Sequence, residues 1–243
     1  MRDDGEPDRN AISRTVLADQ VKDRLLEAIL AGRYPPNSRI VETRVARELG
    51  TSQAPVREAL RGLEALGLIE ISPFRGARVR HPSARELIEA YVVRSELESL
   101  GARLAVPQLT DADLAELIDF SDAMQSAARG DDRHAVALAD ASFHARLVQA
   151  ARNATLERVW RALEPFSRTY ITLVVPGANA QWTADLHLPI IEALRRGDAE
   201  LVVRALQQHF AEVSARLGEE WSESVPAPAN SPPPAHRPAL RTA

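Results

Sequence analysis

The residues of this 243-residue chain best suited to chemistry are one aspartate and three histidines. His144 follows Asp140 by four positions. On a helix both then project from one side, one turn apart. His187 and His209 flank a Gly197-Asp198 turn signal. A helix running out about 10 residues and another returning about 12, at ~1.5 Å each, brings those two rings level. Three imidazoles and a carboxylate suit a divalent ion, zinc first, with nickel, manganese and iron as alternatives. The chain has no cysteine, so thiolate ligands, disulfides and a cysteine nucleophile are excluded. The competing reading makes each histidine an ordinary core or surface residue. For Asp140 and His144 alone the two readings balance, and the hairpin pair tilts them toward a metal.

Arg94 shares helical spacing with Leu87, Tyr91 and Leu97, an otherwise apolar face. A buried guanidinium needs an anion. That anion is either an effector carboxylate or a neighbour such as Glu98. Arg168, just after Pro165, is a second and weaker candidate for the same effector pocket.

A different chemistry is written in residues 50–60, Gly50-Thr51-Ser52-Gln53-Ala54-Pro55-Val56-Arg57-Glu58-Ala59-Leu60. Gly50 permits a sharp turn, Ser52 is placed to cap the next helix, and Pro55 fits its first turn. Gln53, Ala54 and Arg57 then share the exposed start of that helix, while Val56 and Leu60 face inward. Such a helix start reaches into the major groove of DNA. Gln53 can bond adenine bidentately, and Arg57 can take a guanine or a phosphate. Arg75-Gly76, between two short strand signals, can bring a cation and a close backbone to the minor groove or phosphates. A lone Gln or Arg would be read as a solvated helix residue. The ordered set of turn, cap, helix and wing reads as DNA binding.

These two constellations need different scaffolds. Helical signals cover about 14–32, 42–49 and 52–66, and strand signals 68–71 and 77–80. Helix, helix, turn, helix and hairpin make a winged helix-turn-helix. Beyond Pro82 strand signals stop, and six helices follow at about 83–106, 111–128, 132–151, 154–174, 183–196 and 198–221. Asp111 and Asp198 are candidate N-caps. Short loops and amphipathic faces imply an antiparallel bundle. The fold class is therefore mainly α. A flexible tail spans 1–12, a winged helix-turn-helix 13–81, an all-helical metal, effector and dimerisation domain 82–221, and a Pro-rich disordered tail 222–243.

Net charge is −4, which taken whole argues against a nucleic-acid partner. The charge is not evenly spread. Residues 12–81 carry 12 basic and 8 acidic side chains, whereas 82–221 carry 14 and 21. The basic surplus lies on the unit with the helix-turn-helix pattern, where phosphate binding needs it.

Most of residues 14–81 resembles the GntR family of bacterial transcription regulators. The resembling residues include Ile29-Leu30-Ala31-Gly32-Arg33-Tyr34-Pro35-Pro36, Val45-Ala46, Leu49-Gly50, Ala54 through Leu60 and Gly67-Leu68-Ile69. The resemblance implies DNA contacts from Arg44, Ser52, Gln53, Arg57 and Gly76. Asn37 stands where the family usually has Gly, Gln53 where many members have Arg, and Thr43 where relatives carry a contact Arg. Residues of about 85–215, including Asp140 through Leu147, Asn153, His187 and His209, resemble the FCD ligand-binding domain of FadR-type members. Six helices match its shorter, VanR-like variant. In that family an Asp and three His bind a divalent metal, and a small organic-acid or sugar-acid effector completes the coordination. Asp140, His144, His187 and His209 match residue for residue. Leu186 stands where relatives usually carry Glu.

The sequence thus implies a cytoplasmic, homodimeric, ligand-responsive repressor. It would bind a palindromic double-stranded DNA operator, without membrane association or catalysis. A metal-dependent hydrolase or lyase with an accessory DNA-binding domain is the alternative, although no H-E-x-x-H-type base spacing is present. A third reading keeps the metal as structural glue.

Overall fold

In the computed structural model, residues 9–72, 75–169 and 179–224 are described, with side chains for 17–72, 75–165 and 179–218. The first unit comprises α1 (Arg9–Leu30), β1 (Arg39–Ile40), α2 (Glu42–Glu48), α3 (Gln53–Ala65), β2 (Ile69–Ser72) and β3 (Gly76–Val79). Val21, Leu25 and Ile29 of α1 pack with Val45 of α2 and with Val56, Leu60 and Leu63 of α3. Their spacing of three and four residues puts each set on one helical face. The sheet closes this core through Ile40, Ile69, Ala77 and Val79.

The sheet order is β1-β3-β2, antiparallel throughout. The β2–β3 hairpin has Ile69 opposite Val79 and Ser72 opposite Gly76. Pro73 and Phe74 of its turn lie outside the described residues. Strand β1 was not among the sequence expectations. Two residues are too short for an alternation signal. Asn37 enters this strand with φ of 66°, a left-handed turn that Asn tolerates best after Gly. That explains how Asn stands at a position where the family usually has Gly.

The second unit contains α4 (Ala84–Ala105), α5 (Asp111–Arg129), α6 (Arg133–Ala150), α7 (Ala154–Thr169), α8 (Ala180–Asp185), α9 (Leu188–Arg195) and α10 (Ala199–Ser224). Leu87, Phe143, Leu147, Ile190, Leu206 and Leu217 lie at its centre with no more than trace exposure. Arg80 at the end of the wing donates to Glu86, which also closes a capping box with Ser83 at the start of α4. The junction between the two units is therefore tied at both ends of one carboxylate.

Several helix ends differ from the sequence expectations. Ser52 holds the N-cap position of α3 but makes no side-chain cap bond. Pro55 occupies the third helical position and has no N–H to offer it. Thr110, not Asp111, caps α5, in a reciprocal box with Asp113. The single helix expected over 183–196 is two, α8 and α9, with His187 at the joint. Pro189 removes the N–H that would continue α8 through His187, so the chain restarts there. Helix α10 runs to Ser224, past the expected end at 221. Asp198 does accept from Leu201 N at 3.0 Å, as a cap should. The expected end of the fourth bundle helix near 174 lies outside the described residues, as do 1–8 and 225–243 of the expected tails. Residues 9–12, expected as flexible tail, form the first turn of α1, and 222–224, expected in the Pro-rich tail, end α10.

Candidate metal centre and nucleic-acid interface

Helix α6 supplies Asp140 and His144, the α8–α9 joint supplies His187, and α10 supplies His209. All four are buried, and one potential ligand atom from each lies within 4.8 Å of the others. Nε2 of His187 is 3.2 Å from Nε2 of His144 and 3.2 Å from Oδ1 of Asp140. His144 Nε2 is 3.7 Å from the same oxygen. Phe143 walls the site, its ring edge-on to His144 and His187 at centroid distances of 5.5 and 5.1 Å. Phe210 stands edge-on to His209 at 4.9 Å.

The partners of the Nδ1 atoms fix the chemistry. His187 Nδ1 donates to the Thr183 carbonyl at 3.0 Å, which can only accept. His144 Nδ1 donates to Oε2 of Glu98 at 2.5 Å. Each neutral imidazole has one N–H, so both Nε2 atoms present bare lone pairs to each other and to a carboxylate. Nδ1 of His209 is buried and meets no hydrogen-bond partner among the described residues. Facing lone pairs beside an ionised carboxylate are mutually repulsive unless a cation sits among them. The donor set therefore fits a divalent ion.

Burial favours the neutral form of Glu98, but Arg94 and His144 outweigh it and hold the carboxyl at about 2. Asp140 is likewise held well below the usual carboxylate range: burial opposes, and His144, His187 and Arg94 prevail. Burial, with His187 and His144 adding to it, pushes His209 well below the ordinary histidine value. The shifts of Asp140 and His209 favour the deprotonated forms that bind metal.

Arg94 is buried and donates from Nε to Oε1 of Glu98 at 2.9 Å. Its guanidinium lies 5.6 Å from the Trp160 ring centre and 5.1 Å from that of Phe210. Of the two anions considered for Arg94, the structure supplies the neighbour, Glu98. Trp160 Nε1 donates to the same Oε1 at 2.7 Å. Sequence reasoning missed Trp160 and Thr183 as supports of the site. The side chain of Arg168 lies outside the described residues.

On the first unit, Ser52, Gln53, Ala54 and Arg57 are exposed at the start of α3, while Val56 and Leu60 are buried. Arg57 Nε donates to Glu42 Oε2 at 2.7 Å, and its Nη2 to Gln53 Oε1 at 3.2 Å. Arg44 Nε donates to Glu48 at 2.9 Å. Arg75 is exposed beside Gly76, whose φ of +78° is a conformation that favours glycine. The helix start and the wing are thus separate exposed features, with Arg44 on α2 as a third.

A winged helix with its third helix exposed, joined to a helical bundle around a buried aspartate–histidine set, is the build of a two-domain DNA-binding regulator. The bacterial regulatory proteins of the gntR family match residues 17–79, and the FCD domain matches 89–212. The chain is 40% identical over 200 residues to a probable D-xylose utilization operon transcriptional repressor of Paenarthrobacter nicotinovorans, covering 82% of this chain and 88% of that protein. It is 26% identical over 213 residues to the transcriptional regulator McbR of Escherichia coli K12, covering 84% and 96%. The solved structure of E. coli McbR/YncC superposes with a TM-score of 0.71 at 26% identity, covering 84% of this chain and 98% of that one. The chain belongs to the GntR family of transcription regulators and carries an FCD domain. Among the described residues no helix is long and apolar enough to cross a membrane.

Proposed function

We propose that the chain is a homodimeric repressor that leaves a palindromic operator when a small acid binds its FCD domain. Asp140, His144, His187 and His209 hold a divalent metal, zinc in the first instance. The metal supplies a Lewis-acid position for an effector carboxylate. The observation that carries this reading is the pair of facing Nε2 atoms whose Nδ1 partners are already assigned. Arg94 adds positive charge behind the ligand set through Glu98, and Arg168 is the second cation proposed for the effector. Gln53, Ala54 and Arg57 read bases, and Arg44, Ser52, Arg75 and Gly76 meet the backbone and minor groove.

Relatives named for D-xylose utilization, gluconate and galactonate operons point to sugars and sugar acids as the effector class. The named relatives are transcription regulators, which weighs against the hydrolase or lyase alternative. An effector acts only through its different affinity for the DNA-bound and released arrangements.

The test begins with metal analysis of the purified protein, followed by thermal-shift screening of aldonic acids with and without zinc. Metal at one ion per chain, and acid-induced stabilisation lost after chelation, are expected. A protein that neither contains metal nor is stabilised by added zinc would sink the metal assignment. Metal content without any response to acids would leave a structural ion instead.

A further inference from the structure

The DNA-binding unit holds a second concentration of positive charge, away from α3. Arg24 of α1, Arg33 and Tyr34 of the following turn, Ser38, Arg39 of β1 and Arg44 of α2 line one pocket of about 470 Å³. Among the described residues Glu48 is the only acid in that lining, and Arg44 already holds it. Arg24, Arg33 and Arg39 meet no acid within ion-pair distance among the described residues. Guanidinium groups stay charged at any physiological pH. Several of them around one concavity repel one another and focus a positive potential into it. Ser38 Oγ is buried in the same wall with no hydrogen-bond partner among the described residues. A hydroxyl so placed can donate to an oxyanion.

The position of the pocket adds to its chemistry. A Cβ on Gly76 would stand 3.5 Å from Nε and Nη2 of Arg39, so one rim is continuous with the wing. Arg44, on the helix preceding α3, lines the same pocket. The concavity therefore adjoins two features proposed above to meet DNA. A planar guanidinium presents paired N–H groups that match phosphate oxygens, and several around one hollow suit a group with more than one such oxygen.

We propose that Arg24, Arg33 and Arg39, with Ser38, form a phosphate-binding pocket that grips the DNA backbone beside the base pairs facing α3. This rests on the DNA-binding reading above. A free phosphate compound would satisfy the same groups, so the experiment separates the two sources.

A 30-bp duplex is first selected by the full-length wild type from a random pool. Its affinity, and that of a scrambled duplex, is then followed by anisotropy across a KCl series for wild type, R24Q, R33Q, R39Q and the triple variant. Each guanidinium on a phosphate contributes about 0.9 to the slope of log K against log salt. The triple variant is expected to lose about 2 to 3 from that slope and to weaken both duplexes alike, leaving the preference between them unchanged. In parallel, calorimetry measures inorganic pyrophosphate binding to wild type and triple variant. Pyrophosphate binding lost in the triple variant, with the salt slope unchanged, assigns the pocket to a free phosphate ligand. An unchanged slope with no pyrophosphate binding overturns the proposal. A wild type that enriches no duplex overturns the DNA-binding reading instead, and the pyrophosphate arm still decides the pocket. Thermal melts of the variants check that the fold is kept, as exposed side chains permit.

Discussion

Arg94 and His144 are joined through one carboxylate: Arg94 donates to Oε1 of Glu98 and His144 to Oε2. Glu98 thereby sets the tautomer of a metal ligand and balances a buried guanidinium at once. Removing its charge should harm both. Glu98→Gln is expected to lower zinc affinity by about 10- to 100-fold, the usual effect of losing a partner behind a metal ligand. It should also destabilise the protein by about 3–5 kcal/mol, since Arg94 keeps its charge in a buried place. A chelator-competition titration and a thermal melt measure the two. Unchanged zinc affinity would show that His144 is oriented by other means.

Chelation supplies a second test, on stability alone. A ligand that binds only the folded state at 100 times its Kd adds about 2.7 kcal/mol. For a domain of this size that is roughly 5–10 °C in Tm. Stripping metal with EDTA should lower Tm by that order, and zinc should restore it. His144→Ala should remove the zinc response altogether. If EDTA leaves the wild-type melt unmoved, the four ligands are held by packing and not by an ion.

The parts of this site that could be read in advance were those governed by local spacing. Asp140 and His144 are one helical turn apart, so their shared face follows from helix geometry. His187 and His209 were expected to meet across a turn, and their ring centres do lie 4.8 Å apart. The route differs, because Pro189 breaks the expected helix and leaves His187 at a joint where Thr183 can take its Nδ1 proton. Glu98 was named as one neighbour that could partner Arg94, and it does. Its bond to Trp160 spans 62 residues, and no local pattern encodes a contact of that range. At Ser52 the residue type suggested a cap, but Pro55 three positions on removes the donor.

Acid should destabilise the metal-free protein in two stages. His209 is held below its ordinary value in the fold by burial and by its histidine neighbours. The unfolded chain therefore takes up a proton near pH 6.5 that the folded chain refuses. That stability is complete above about pH 6.5 and is lost as pH falls below it. Glu98 acts lower down, between its ordinary value of 4.5 and about 2, with the same sign. Tm of metal-free protein should begin to fall near pH 6.5. His209→Gln should flatten the stretch that begins near pH 6.5 while leaving the lower one. An identical profile in the variant would refute the assignment to His209.

The bond between Arg57 and Glu42 predicts a split between affinity and specificity. Both side chains are substantially exposed, so the pair contributes at most about 1 kcal/mol to folding. Its consequence falls on DNA. Glu42 fixes the Arg57 guanidinium from one side and Gln53 from the other, which limits the directions its remaining N–H groups can take. The same Glu42 carboxylate repels phosphate. Arg57→Ala should weaken binding to a selected duplex by about 1–3 kcal/mol and relax preference at the base pair it faces. Glu42→Ala should do something different. It frees Arg57 and removes a negative charge, so binding to scrambled duplex should strengthen while the ratio of selected to scrambled affinity falls. Anisotropy titrations on both duplexes at one fixed salt concentration measure that ratio. A ratio unchanged by Glu42→Ala would show that Arg57 is oriented by the DNA itself and not by the protein.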